Sequence, residues 1–146
     1  MVQLIKGVTL STLKVIEQDK GDIYHVLKKN EESYRDFGEA YFSSVQQTVF
    51  KGWKQHLQMT LNIVVPVGAI RFYFVQENSN SDLLETASVE LSPLNYLRVT
   101  VQPGVWMGFK GVDQGLNLLL NIADIPHDPS EAISRTEDYW MHLFQL

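Results

Sequence analysis

The segment from Thr48 to Gly68, TVFKGWKQHLQMTLNIVVPVG, has two opposed faces when read with a period of two. Lys54, His56, Gln58, Thr60 and Asn62 fall on one side, and Trp53, Leu57, Met59, Leu61 and Ile63 on the other. Side chains alternate along an extended chain, so this spacing predicts a long strand. A row of polar groups that includes an imidazole and an ammonium is either a solvated sheet face or the lining of a barrel that holds a polar ligand. Alternation alone allows both.

Similar segments recur along the chain with turn signals between them. Strands are expected at 14–17 and 22–27 around the turn Asp19-Lys20-Gly21, and at 39–44, 47–50, 69–75, 88–91, 96–101, 105–109 and 117–123. Pro66-Val67-Gly68 and Pro103-Gly104 read as turns, and Gln76–Asp82 (QENSNSD) as a polar loop. Asn30-Glu31-Glu32 predicts a capped helical turn ahead of Phe37-Gly38. Asp128, Pro129 and Glu131 form a helix-start signal: cap, proline at the first position and a carboxylate at the third. Many short strands of this kind predict an all-β sandwich or barrel.

The neighbouring strands carry cations. Arg71 and Tyr73 alternate with Ile70, Phe72 and Phe74, and Arg98 alternates with Leu97 and Val99. With Lys54 and His56 they would concentrate positive charge on one face of a chain whose net charge is −5. Such a face predicts an anionic ligand. A neutral imidazole facing a cavity is a competent general base, and a lysine beside it steadies developing negative charge. Trp106 and Phe50 flank these strands and are candidates for stacking on a ligand ring.

Other classes find little support. The 146 residues predict one domain, 1–146, able to bury roughly 68–70% of its unfolded surface. The chain has no cysteine, which removes disulfides, thiolate metal sites and cysteine nucleophiles. Net negative charge argues against a nucleic-acid partner. The N-terminal MVQLIKGVTLSTLK lacks the apolar core of a signal peptide, and no apolar run reaches the length of a membrane span. A cytoplasmic location is expected. His56 is the lone histidine of its strand, with His25, His127 and His142 far away in sequence, so a metal-dependent cupin is disfavoured and no metal ligands are assigned. No glycine-rich phosphate loop is present, so any phosphate would be held by lysine and arginine side chains.

Four segments resemble one family. Lys51-Gly52-Trp53-Lys54-Gln55-His56, the following MTLNIVVPVG, the run Val101-Gln102-Pro103-Gly104-Val105-Trp106-Met107-Gly108-Phe109 and the later NIADIPHDPSEAI are similar to the dTDP-4-dehydrorhamnose 3,5-epimerase family, in a shorter branch. The resemblance spans about residues 15–135. It implies a jelly-roll cupin with short peripheral helices, a homodimer, and a nucleotide-sugar partner lying in the barrel. It implies metal-free, cofactor-free proton transfer beside a sugar ketone, an isomerase reaction serving deoxysugar or surface-polysaccharide synthesis. The family's motif arginine falls on Lys51, its catalytic histidine on Lys54, its tyrosine acid on Asn121, and a further histidine on Met107. The carboxylate that orients the histidine falls nearest Glu137 or Asp138. His56 is then expected as base, Lys54 as enolate stabiliser and Tyr73 as acid. Lys20, Lys51, Arg71 and Arg98 are expected at the diphosphate, and Asn62, Asn121 and Trp106 elsewhere on the substrate. The alternative is a cupin that binds a sugar nucleotide or small anion without turning it over.

Overall fold

Alternating burial builds two antiparallel sheets packed face to face. The structure is a computed structural model and describes residues 1–78 and 80–145. Its strands are β1 (Val2–Ile5), β2 (Val8–Thr12), β3 (Val15–Ile16), β4 (Ile23–Tyr24), β5 (Glu39–Ser44), β6 (Phe50–His56), β7 (Leu61–Val67), β8 (Ile70–Glu77), β9 (Leu84–Leu91), β10 (Leu97–Val101), β11 (Trp106–Gly111), β12 (Leu118–Ala123) and β13 (Ala132–Ser134). One sheet runs β1-β2-β10-β7-β12-β5 and the other β13-β6-β11-β8-β9, while β3 and β4 form a separate hairpin. This is an all-β jelly roll. Among the described residues no helix is long and apolar enough to cross a membrane.

The core lies between the sheets. Ile63, Val65, Ile70, Phe72, Phe74, Leu91 and Val99 are fully buried there, each worth about 1.5–3 kcal/mol in burial. The outer face of the smaller sheet is also covered. Trp53, Tyr73, Val75 and Trp106 pack beneath Trp140 and Phe144 of the C-terminal segment, and Trp53 Nε1 donates to the Glu137 carbonyl at 3.0 Å. The outer face of the larger sheet is covered by residues 25–34. Arg98 Nη1 reaches Glu31 at 2.7 Å and donates to the Val26 carbonyl at 2.6 Å. Asn62 Nδ2 donates to the Ser33 carbonyl, and Thr100 donates to Asn62 Oδ1 at 2.7 Å.

The long strand expected from Thr48 to Gly68 is two strands in two sheets. Residues 57–60 carry the chain from one sheet to the other, and the alternation slips by one residue on the way. Lys54 and His56 face inward on β6, whereas Met59, Leu61, Ile63 and Val65 face inward beyond the crossing. A one-residue slip exchanges the two faces of a strand. The expected single polar face is therefore broken, and Asn62 points outward.

Other boundaries shift less. The expected strand at 39–44 coincides with β5, and those at 96–101 and 117–123 begin one residue late. β8 runs on through Glu77 and β9 starts at Leu84, which shortens the polar loop; Ser79 within it lies outside the described residues. The N-terminal strands β1 and β2, joined at Lys6-Gly7, were not anticipated. Residues 30–32 form a turn, with Tyr34 N donating to the Glu31 carbonyl, and no helix follows. Asp128 does cap Pro129–Glu131, accepting from Ser130 N at 2.9 Å, but the element is one 3₁₀ turn. It stops because Ala132–Ser134 join β6 as β13.

Gly68 turns the chain between β7 and β8 with φ +75°, and a Cβ there would stand 2.2 Å from the Leu116 carbonyl oxygen. Gly68→Ala is expected to cost about 1–3 kcal/mol and to lower Tm by several degrees. Thermal unfolding followed by circular dichroism checks this.

Candidate active site

The site grows from an irregularity in β6. Met107 pairs with Lys54 and Phe109 with Lys51, so Gly52 and Trp53 together oppose Gly108. The result is a β-bulge with a cis Gly52–Trp53 peptide. Bulges re-aim side chains, and this one turns both Lys51 and Lys54 into the space between the sheets although they are three residues apart. A side chain at Gly52 would stand 2.7 Å from Gly108 Cα, so the close crossing of β6 and β11 requires glycine.

The space is a cavity of about 290 Å³. Its floor and sides are apolar: Leu61, Ile63, Met107, Phe109 and Leu119. Its polar groups are few. Lys51, Lys54 and His56 come from β6, Tyr41 and Ser43 from β5, and Asn121 from β12. Lys51 Nζ donates to the Ser44 carbonyl at 2.6 Å. Lys54 has no hydrogen-bond or ion-pair partner among the described residues. An apolar cavity with a few convergent polar groups has the form of a small-molecule site.

His56 is largely buried, and its Nδ1 meets the carboxylate of Glu131. Glu131 is itself buried, with its side chain only 3% exposed. Its second oxygen accepts from the backbone N–H groups of Gln58 and Met59, each at 3.3 Å. Burial pushes its pKa up. Hydrogen bonds from His56, Gln58 and Met59 outweigh that, and the net shift is downward. The carboxylate is therefore ionised at neutral pH and holds the Nδ1 proton of His56, which leaves Nε2 for the cavity. Strand pairing sets this geometry: Ala132 of β13 lies opposite His56, so the preceding residue sits against the ring. The orienting carboxylate is thus Glu131 and not Glu137 or Asp138, both exposed on the 3₁₀ turn 137–139. Its signal was present in the sequence, where it reads as a helix-start residue.

The structure brings Lys51, Lys54, His56 and Asn121 together at the cavity. It does not bring the other expected residues there. Tyr73 and Trp106 lie on the outer face of their sheet, Tyr73 against Phe50 and Phe144, and Trp106 with Nε1 donating to Glu77 at 2.9 Å. Burial raises the pKa of Tyr73, and its position removes it as the acid. Arg71 is on the same outer face, 3.5 Å from Glu90. Arg98 and Asn62 are on the outer face of the other sheet, bound to residues 25–34 as described. Lys20 is exposed in the β3–β4 turn and does not line the cavity. In each strand concerned the apolar row packs inward, which sends its polar row out. Tyr41 and Ser43 escaped the sequence reading because an edge strand with mixed polarity shows no clear facing. Among the described residues no three histidine, aspartate or glutamate side chains are grouped to hold a metal ion.

The sequence matches no protein-family model and no curated protein. Solved structures match closely. A dTDP-sugar isomerase from Desulfovibrio desulfuricans G20 is 33% identical, with a TM-score of 0.88 over 95% of this chain and 90% of that one. The chain belongs to the dTDP-sugar isomerase and epimerase family, the RmlC-like cupins. More distant structures share the fold. The dTDP-4-dehydrorhamnose 3,5-epimerase from Sulfolobus tokodaii is 19% identical, with a TM-score of 0.83 over 94% of this chain and 81% of that one. A mutant of the sugar 3,4-ketoisomerase QdtA from Thermoanaerobacterium thermosaccharolyticum, bound to TDP-4-keto-6-deoxyglucose, is 18% identical with a TM-score of 0.75, covering 95% and 94%.

Because the Glu131 pKa is lowered in the fold, its stabilising effect is complete above the ordinary value of 4.5 and is lost as pH falls below it. Glu131→Gln is expected to lower Tm at pH 7, and the gap to the wild-type protein is expected to narrow below about pH 4.5. Paired melting curves between pH 3 and 7 check the sign.

Proposed function

We propose that the protein is a nucleotide-sugar isomerase that moves a proton beside the ketone of a dTDP-4-keto-6-deoxysugar. The observation that carries this reading is the His56–Glu131 pair set beside two lysines in an apolar cavity, in a chain of the dTDP-sugar isomerase family. His56 Nε2 removes the proton from a carbon next to the ketone. The electrons of that C–H bond form the C=C of an enolate, and the former ketone oxygen takes the negative charge. Lys54, a cation without a partner among the described residues, stabilises that oxygen. The enolate collapses when a proton returns to carbon. Return to the same carbon from the opposite face is epimerisation. Return to the former carbonyl carbon, through an enediol, is keto-isomerisation.

Tyr41 is the candidate donor for the opposite face. It projects from β5 in the sheet across the cavity from β6, and its phenol is a titratable O–H, as an amide is not. Lys51 is the candidate cation for the diphosphate. No step calls for a metal or cofactor. The chain is read as one cupin domain, 1–146, working as a cytoplasmic homodimer in deoxysugar or surface-polysaccharide synthesis. The exposed Val2 on edge strand β1, Met1 just before it and the exposed Ile23 and Tyr24 support association through the N-terminal strands.

The test is proton exchange. In D₂O the wild-type protein is expected to place deuterium at a carbon beside the ketone of dTDP-4-keto-6-deoxyglucose, seen by NMR. His56→Ala is expected to slow this by at least about 100-fold. Absence of exchange in a protein that dTDP stabilises against heat would favour the binding module instead. An unchanged rate in His56→Ala would remove His56 as the base.

A further inference from the structure

Asn121 is oddly placed for a structural residue. It is 1% exposed and turned inward on β12, between the inward-facing Leu119 and Ala123. Tyr41 is its direct cross-strand partner on β5. Its Nδ2 donates to Tyr41 Oη at 3.2 Å. Its Oδ1 is buried and has no hydrogen-bond partner among the described residues. A buried acceptor left unpaired is destabilising, and an apolar side chain of the same size would not incur that cost. Such an acceptor at a cavity wall calls for a donor from outside the protein.

We propose that Asn121 Oδ1 is a specificity determinant that accepts a hydrogen bond from a ring hydroxyl of the bound sugar. The proposal rests on the isomerase reading and deepens it. That reading puts the reacting carbon at His56, so the sugar ring shares the cavity with Asn121. About 290 Å³ accommodates the sugar and not a whole sugar nucleotide. Within the ring, the ketone oxygen only accepts, and hydroxyls are the available donors. The diphosphate has no donor to offer. The same carboxamide fixes Tyr41: by donating to Oη it leaves the phenolic hydrogen free to turn toward the sugar. One residue then reads a hydroxyl with its oxygen and orients a proton donor with its nitrogen.

The test uses unreactive ligands, so that binding is read without turnover. Dissociation constants for dTDP, dTDP-6-deoxyglucose and its 2-deoxy and 3-deoxy counterparts are measured by calorimetry on wild-type protein, Asn121→Leu and Tyr41→Phe. Wild-type protein is expected to bind the parent at least about tenfold more tightly than one of the deoxy sugars. Asn121→Leu is expected to abolish that preference and leave the affinity for dTDP alone unchanged. Its Tm without ligand is expected to equal or exceed that of the wild-type protein; a clear fall would mark a structural amide and count against the proposal. Tyr41→Phe is expected to keep the preference. A preference that survives in Asn121→Leu, or that is lost only in Tyr41→Phe, overturns the inference. Equal binding of all the sugars by a wild-type protein that exchanges deuterium overturns it and leaves the isomerase reading standing. Failure to bind any of these ligands overturns both.

Discussion

The Glu131 carboxylate ties the molecule together at the point where its two sheets exchange chain. The backbone between β6 and β7 leaves one sheet before it joins the other, so the N–H groups of Gln58 and Met59 have no ladder partner. Glu131 takes both, and with its other oxygen takes the imidazole of His56. A buried backbone donor without a partner is costly, and so is a buried carboxylate. Here each meets the need of the other. The Leu57 N–H is satisfied at the same place by the Glu131 carbonyl at 2.7 Å. The interaction that makes the crossing possible is the one that orients His56, so the fold and the proposed chemistry share a single side chain.

That arrangement depends on the C-terminal segment. β13 lies along β6 because Trp140 and Phe144 hold the following residues against the outer face of the smaller sheet, with Arg135 stacked 4.2 Å over Trp106 and 4.4 Å over Tyr139. The aromatic residues there lie behind the site and do not line the cavity. On the other side of the barrel, the buried Arg98 and Asn62 hold residues 25–34 across the larger sheet. These polar groups sit outside the core because a loop is there to receive them.

The cavity is correspondingly sparse. Its lysines lie on the bulged strand, its acceptor and phenol on the opposite sheet, and an apolar floor separates them. Lys51 and Lys54 are both exposed at its mouth, so their pull on a bound anion is screened by salt. The resemblance sets the family's motif histidine and tyrosine at Lys54 and Asn121. Under the proposed function His56 and Tyr41 serve in their stead: His56 is two residues along the same inward face, and Tyr41 is directly across the ladder from Asn121.

The sequence by itself determined the class of fold. A period of two, repeated between glycine and proline turns, leaves an antiparallel sheet protein as the reading, and the segments around Lys51–His56 and Val101–Phe109 were enough to point to the cupin family. It also placed Lys51, Lys54, His56 and Asn121 among the candidates, because the first three stand in the Lys51–His56 segment and Asn121 opens the segment NIADIPHDPSEAI. What only the tertiary structure decided was facing. Alternation says that two rows of side chains diverge and not which row meets the other sheet. A one-residue slip at the crossing sent Asn62 outward, and the apolar rows of β8 and β10 sent Arg71, Tyr73 and Arg98 out as well. Glu131 and Tyr41 were hidden for a related reason. They reach the site through pairing between strands distant in the chain, β13 with β6 and β5 with β12, and no local pattern records such a contact.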